Sequence, residues 1–271
     1  MGLRANMGRK RHKNDQKGNC IAVWVCLLVG IGTSGSARAD LSPYTYGALS
    51  VFPGLGQMLQ GEVLEGLAWT GAISFTFFSG SAFVSHAGQM AWMYNIYDSY
   101  RDAGAKGEAQ ATALQNYIAP FNPLNVVDWV GAPLFAYTVF VNGRKGGNGA
   151  GMPNHLIFRP VYTSFTAFGE EALFRGYLYP AFTGLFHSKI ASAAFTSVLF
   201  GVAHTQYNIP EQVIVAFSGM LFCLQRELNQ GDLRHGIFNH AWIDFFGGLN
   251  NPGNRSPKFL EIPKINFQFI F

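Results

Sequence analysis

Behind a glycine-rich linker, this chain continues as four mostly apolar segments, and three of them carry ionisable side chains in their interior. Short polar breaks separate the segments, which predicts a helix for each. The predicted helices cover roughly 160–186, 189–206, 209–228 and 233–249. An ionisable residue inside an apolar helix is costly unless it is paired, and it usually marks function. The pattern therefore predicts a helical bundle built around a polar centre.

Two more apolar stretches precede the linker, Leu64 to Ala87 and Asn125 to Val141. The first has about the length that a bilayer requires. Charged residues make up only 13% of the chain, well below the roughly one quarter that is typical of soluble domains. Hydrophobic residues make up 49%, and composition alone leaves a soluble, aromatic-rich domain open. We therefore expect an all-α fold, a polytopic transmembrane helical bundle that has the lipid bilayer as a partner.

The amino terminus has the layout of a secretory signal peptide. A basic stretch precedes a short apolar run, and small residues then lead to Ala37-Arg38-Ala39. The alternative is an uncleaved anchor helix. All of the excess positive charge lies in this leader, because the rest of the chain has 12 basic and 14 acidic residues. The basic composition therefore does not favour nucleic acid as a partner. A signal peptide on a membrane protein indicates the cell membrane, and we expect the bacterial inner membrane.

Composition divides the chain into four parts. We expect a signal peptide at 1–39, an N-terminal membrane region at 40–150, a core at 151–250 and a C-terminal tail at 251–271. The linker at 142–154 is rich in glycine and is the clearest boundary.

The first motif that carries chemistry is Glu170-Glu171-x-x-x-Arg175. On a helix, Glu171 and Arg175 share one face and are within reach of an ion pair. Glu170 is rotated by about 100° and faces a different neighbour. One carboxylate is thus held by arginine, and the other is left for acid–base work.

Two further motifs follow on later segments. Phe200-x-x-x-His204 ends an apolar helix. His240 and Asp244 share one face of the last helix, and His235 and Asn239 share another face of it. Only one of these two pairs can point into a common site, and we favour His240 and Asp244.

These three motifs, in this order, resemble the CPBP (CaaX protease and bacteriocin-processing) family of intramembrane endopeptidases over about residues 155–250. The third motif has Asp244 where many members have asparagine. The resemblance implies that Glu170 and His204 activate a water molecule. It further implies that His240 and Asp244 polarise the substrate carbonyl or stabilise the oxyanion, with Glu171 and Arg175 in support. An ionised Asp244 could only accept hydrogen bonds, and it would then orient His240.

The sequence does not determine whether the site binds a metal. Glu170, His204, His240 and Asp244 offer nitrogen and oxygen ligands of the kind that zinc accepts. The metalloprotease motif His-Glu-x-x-His does not occur in the chain, and we lean towards a reaction without metal.

The sequence thus predicts a CPBP-type intramembrane peptidase, a hydrolase whose substrate is a membrane-associated or secreted peptide or protein. Two alternatives stay open. One is a membrane scaffold or immunity-like binding protein with the same fold and no proteolytic activity, because fold does not determine function. The other is a transporter or channel built on the same buried charges.

Overall fold

A computed structural model describes residues 41–105, 111–126, 128–144, 153–205 and 207–249. In these ranges the secondary structure is helical, which confirms the all-α prediction for them. None of the described helices has both the length and the apolar composition that crossing a membrane requires, so the transmembrane spans that we predicted are not found there. The predicted signal peptide, most of the linker and the C-terminal tail lie outside the described residues.

The N-terminal region, where the structure describes it, is a series of helices of 5 to 21 residues. The helices are α1 (Pro43–Leu49), α2 (Leu55–Leu59), α3 (Val63–Phe78), α4 (Ala82–Asp102), α5 (Ala113–Tyr117) and α6 (Gly131–Arg144), with 3₁₀ turns at Ala119–Phe121 and Pro123–Val126.

The prediction of one continuous helix from Leu64 to Ala87 is wrong. Gly80 has a positive φ of 68°, a conformation that glycine adopts without strain. Ser81 then caps α4 by accepting a hydrogen bond from the Val84 amide. This local break outweighs the apolar composition on either side of it and divides the segment in two.

The C-terminal half follows the predicted order of helices. It comprises α7 (Pro153–Glu171), a π-helical segment (Ala172–Leu178), α8 (Tyr179–Phe186), α9 (Lys189–Ala203), α10 (Ile209–Leu228) and α11 (Arg234–Leu249). The first helix begins at Pro153, earlier than predicted. His187, with a φ of 52°, ends α8, and a capping box of Asn208 and Glu211 starts α10. These breaks lie where the polar residues indicated.

Helix α7 is held between α4 on one side and α11 on the other. The shared core is largely aromatic where α4 meets α7: the Tyr94 ring stacks on Phe168 with centroids 4.3 Å apart. Ile237 and Ala241 extend this core from α11. The packing fixes the end of α7, where the Glu-Glu pair lies.

Helices α4 and α7 lie close together at Gly169, next to Glu170. A Cβ atom at this position would lie 2.7 Å from the Cα atom of Met90. Because the obstacle is backbone, the helices would have to separate. We expect Gly169→Ala to lower the free energy of unfolding by about 1–3 kcal/mol, the usual cost of overpacking, measured by denaturant titration.

Gly71 provides the matched control for this substitution. It also lies within a helix, α3, but a Cβ atom there meets nothing within 4 Å. Gly71→Ala should stabilise the protein by roughly 0.5–1 kcal/mol through helix propensity alone. Equal effects of the two substitutions would show that the α4–α7 contact is unimportant.

Candidate active site

The Glu-Glu motif occupies the end of α7, and Arg175 follows in the π-helical segment. Glu171 and Arg175 form the predicted ion pair, with 2.9 Å between Arg175 Nη1 and Glu171 Oε1. Both side chains are buried. The Arg175 guanidinium also lies 4.1 Å from the centre of the Phe200 ring and 5.0 Å from that of Phe222. The arginine is therefore neutralised by Glu171 and enclosed by aromatic rings.

Glu171 has a second partner that the sequence did not indicate. His240 Nδ1 lies 2.8 Å from the same Oε1 atom. Since a carboxylate only accepts hydrogen bonds, Nδ1 carries the proton and Nε2 points the other way. A Cβ atom at Gly236 would lie 3.1 Å from Glu171 Oε2, so the glycine of the third motif permits this approach. Glu171 thus fixes the orientation of His240.

Glu170 lies at the centre of the site and is completely buried. Neither of its carboxylate oxygens has a hydrogen-bond partner. Two imidazole nitrogens face Glu170 Oε2, His240 Nε2 at 3.6 Å and His204 Nε2 at 3.9 Å. A buried carboxylate without hydrogen bonds is costly, and such exceptions in a folded protein call for an explanation in terms of function.

His204 follows the last residue of α9, where the helix ends. Its Nδ1 atom lies 2.7 Å from the Phe200 carbonyl oxygen. A carbonyl accepts, so Nδ1 donates, and the neutral ring presents an unprotonated Nε2 to Glu170. The Phe200-x-x-x-His204 spacing thereby determines the tautomer of the histidine, because it places the carbonyl one turn before the ring.

Asp244 lies one helical turn after His240, with its Oδ2 atom 3.6 Å from His240 Nε2. Its side chain is 36% exposed, in contrast to the buried glutamates. The site therefore has a closed end at Arg175 and a more open end at Asp244.

The competing pair, His235 and Asn239, lies elsewhere. His235 Nδ1 is 3.3 Å from Oδ2 of Asp128, in the loop before α6, and the Asn239 side-chain amide donates to the His235 carbonyl. Burial opposes the ionisation of Asp128, but hydrogen bonds from Gln225 and from the Gly131 amide prevail and lower its pKa. His240 and Asp244 thus lie on the side of α11 that faces the two glutamates. His235 instead contacts the N-terminal region.

Comparison with protein families agrees with this geometry. Residues 152–246 match a family model described as Rce1-like, type II CAAX prenyl endopeptidase Rce1-like. The resemblance to the CPBP family is therefore confirmed over these residues. Neither the curated proteins nor the solved structures give a match to the chain. The matched residues, here named the CPBP-like segment, contain all six residues of the predicted site.

The candidate ligand atoms of the CPBP-like segment lie farther apart than the ligand atoms of a zinc site. Tetrahedral zinc brings its ligand atoms about 3.3–3.5 Å apart in every pair. Among the described residues, no three ligand atoms from Glu170, His204, His240 and Asp244 lie within 4.8 Å of one another; Glu62, Glu65 and Asp102, which are exposed, do so. The four residues do not fit one shared ion in this arrangement.

We therefore expect a chelator to leave the activity of the protein unchanged. Peptide cleavage by the purified protein would be measured before and after incubation with a strong zinc chelator. The control is the same sample after removal of the chelator and addition of zinc. A loss of activity that zinc restores would show that the CPBP-like segment closes around a metal.

Proposed function

We propose that this protein is an intramembrane endopeptidase that hydrolyses peptide bonds with a water molecule activated by Glu170 and His204. One observation carries the proposal. Glu170 is fully buried, lacks hydrogen bonds on both oxygens, and faces the Nε2 atoms of two histidines whose tautomers are set by Glu171 and by the Phe200 carbonyl.

The distances favour a mechanism through water. At 3.6 and 3.9 Å, neither histidine Nε2 is within hydrogen-bonding distance of Glu170. A water molecule positioned between Glu170 and His204 would hydrogen-bond to both. As its oxygen attacks the carbonyl carbon of the substrate, Glu170 takes the proton, and a carbon–oxygen bond forms.

The negative charge then develops on the former carbonyl oxygen. A protonated His240 would donate from Nε2 to this oxygen, since Nδ1 is already engaged with Glu171. Asp244, 3.6 Å from the same Nε2 atom, favours the protonated ring. Collapse of the intermediate re-forms the carbonyl and breaks the carbon–nitrogen bond, and Glu170 passes the proton that it took from water to the leaving amine.

The family match supports peptide hydrolysis as the class of reaction and a membrane as the location. The matched family comprises membrane-embedded proteases of the CAAX type. For this chain we propose membrane-associated or secreted peptides and proteins as substrates, and the bacterial inner membrane as the location.

The test is cleavage of a broad peptide library by the purified, detergent-solubilised protein. Glu170→Ala and His204→Ala should each abolish cleavage while the circular dichroism spectrum stays that of a folded helical protein. Full activity in both variants would refute the site. Stable capture of an uncleaved partner, unaffected by Glu170→Ala, would instead establish the binding protein without proteolytic activity.

A further inference from the structure

Besides Arg175 in the π-helical segment, a second arginine lies near the site, on helix α7 with Glu170. Arg159 precedes Glu170 by three turns of α7, which places the two residues within about 20° of one face and about 16 Å apart along the axis. Asp244, at the more open end of the site, interacts electrostatically with Arg159. Arg159 therefore lies on the Asp244 side of the site, farther from Glu170.

The guanidinium of Arg159 is incompletely satisfied. The side chain is half-buried, and its Nε atom is buried with no hydrogen-bond partner. Arg175 likewise has buried Nε and Nη2 atoms without a hydrogen-bond partner, but it differs in having Glu171 as an ion-pair partner and three phenylalanine rings around it. A planar guanidinium with free donors suits a carboxylate, which it can bind through two parallel hydrogen bonds.

We propose that Arg159 binds a carboxylate of the peptide substrate and thereby selects substrates that carry one at a set distance from the scissile bond. An extended chain advances about 3.3 Å per residue. The axial separation of Arg159 and Glu170 then corresponds to about five residues. This inference rests on the proposed peptidase activity, and names a substrate class for it. The carboxylate is either the C-terminal one or that of an acidic side chain.

Binding is measured first, so that the test does not depend on turnover. The full-length protein carrying Glu170→Gln is titrated with fluorescent peptides in matched pairs. One pair differs in a free or an amidated C-terminus, and the other in Asp or Asn at the fifth residue from the cleavage point. We expect one carboxylate peptide to bind roughly ten- to a hundredfold more tightly than its neutral partner, the range of one charge-assisted interaction.

The substitution Arg159→Gln should remove this preference and leave the affinity for the neutral peptide unchanged. Arg159→Lys, which keeps the charge but loses the planar fork, should retain a part of it. The control is Arg234→Gln, since Arg234 already pairs with Asp232 outside the site. In active protein, the lost preference should appear as a higher KM for the carboxylate peptide.

The outcomes separate the two proposals. Equal binding of both members of each pair, or a preference that survives Arg159→Gln, would overturn the role of Arg159 even if the protein cleaves peptides. Peptide binding that depends on Arg159 in a protein that never cleaves would support the role in recognition and refute the peptidase.

Discussion

Glu170→Gln should lower kcat for peptide cleavage by roughly 10²–10⁴-fold, the range that a general base contributes. The amide has the size of the carboxylate but cannot take a proton from water. Because Glu170 accepts no hydrogen bond within the protein, the replacement breaks no structural contact. We therefore expect the fold and the affinity for peptides to persist, and kcat rather than KM to change.

The matched control for this variant is Glu65→Gln. Glu65 lies in the first turn of α3 and is exposed, so its replacement should leave kcat unchanged. Initial rates at saturating peptide would be compared for the three proteins, with thermal unfolding of each as a check on folding. A Glu170→Gln protein that keeps more than a tenth of the parental kcat would exclude Glu170 as the base.

Arg175→Met should destabilise the protein by about 3–5 kcal/mol, the usual effect of removing one member of a buried ion pair. Methionine can occupy the space among Phe174, Phe200 and Phe222. The loss would therefore come from Glu171, which would be left buried with only His240 as a hydrogen-bond partner. The free energy of unfolding in detergent would be measured by denaturant titration.

A double variant isolates this cause. Adding Glu171→Gln to Arg175→Met removes the carboxylate charge that Arg175 compensates, and we expect it to recover part of the lost stability. Arg234→Met serves as the control, because the Arg234–Asp232 pair is partly exposed and should contribute at most about 1 kcal/mol. If the double variant is no more stable than Arg175→Met, the arginine acts through packing and not through charge.

Much of the fold could be predicted because its signals are local. The breaks at His187, Asn208 and Gln230 are polar or capping positions within a few residues of the helix ends that they determine. The failure at Leu64 to Ala87 has a local cause as well. There the apolar composition of the flanking residues suggested one continuous segment. Ser79, Gly80 and Ser81 nevertheless end one helix and begin the next.

The contacts inside the site could be predicted from the sequence only where both residues lie on one helical stretch. The ion pair of Glu171 and Arg175 follows from a spacing of four residues, and it is present. The bond between Glu171 and His240 joins residues that are 69 positions apart, and no sequence spacing indicates it. For the same reason the sequence did not indicate Arg159, since its relation to Asp244 depends on how α7 and α11 pack against each other.

In the C-terminal half, the sequence by itself determined the order of the helices, the breaks between them and the face of each helix on which the ionisable residues lie. The tertiary structure decided between His240 with Asp244 and His235 with Asn239, joined His240 to Glu171 and left Glu170 without a hydrogen bond. The physical reason is that helical periodicity sets the angle of a side chain about its own axis. The rotation of one helix against another is set by packing across the core, such as the contact of Gly169 with Met90.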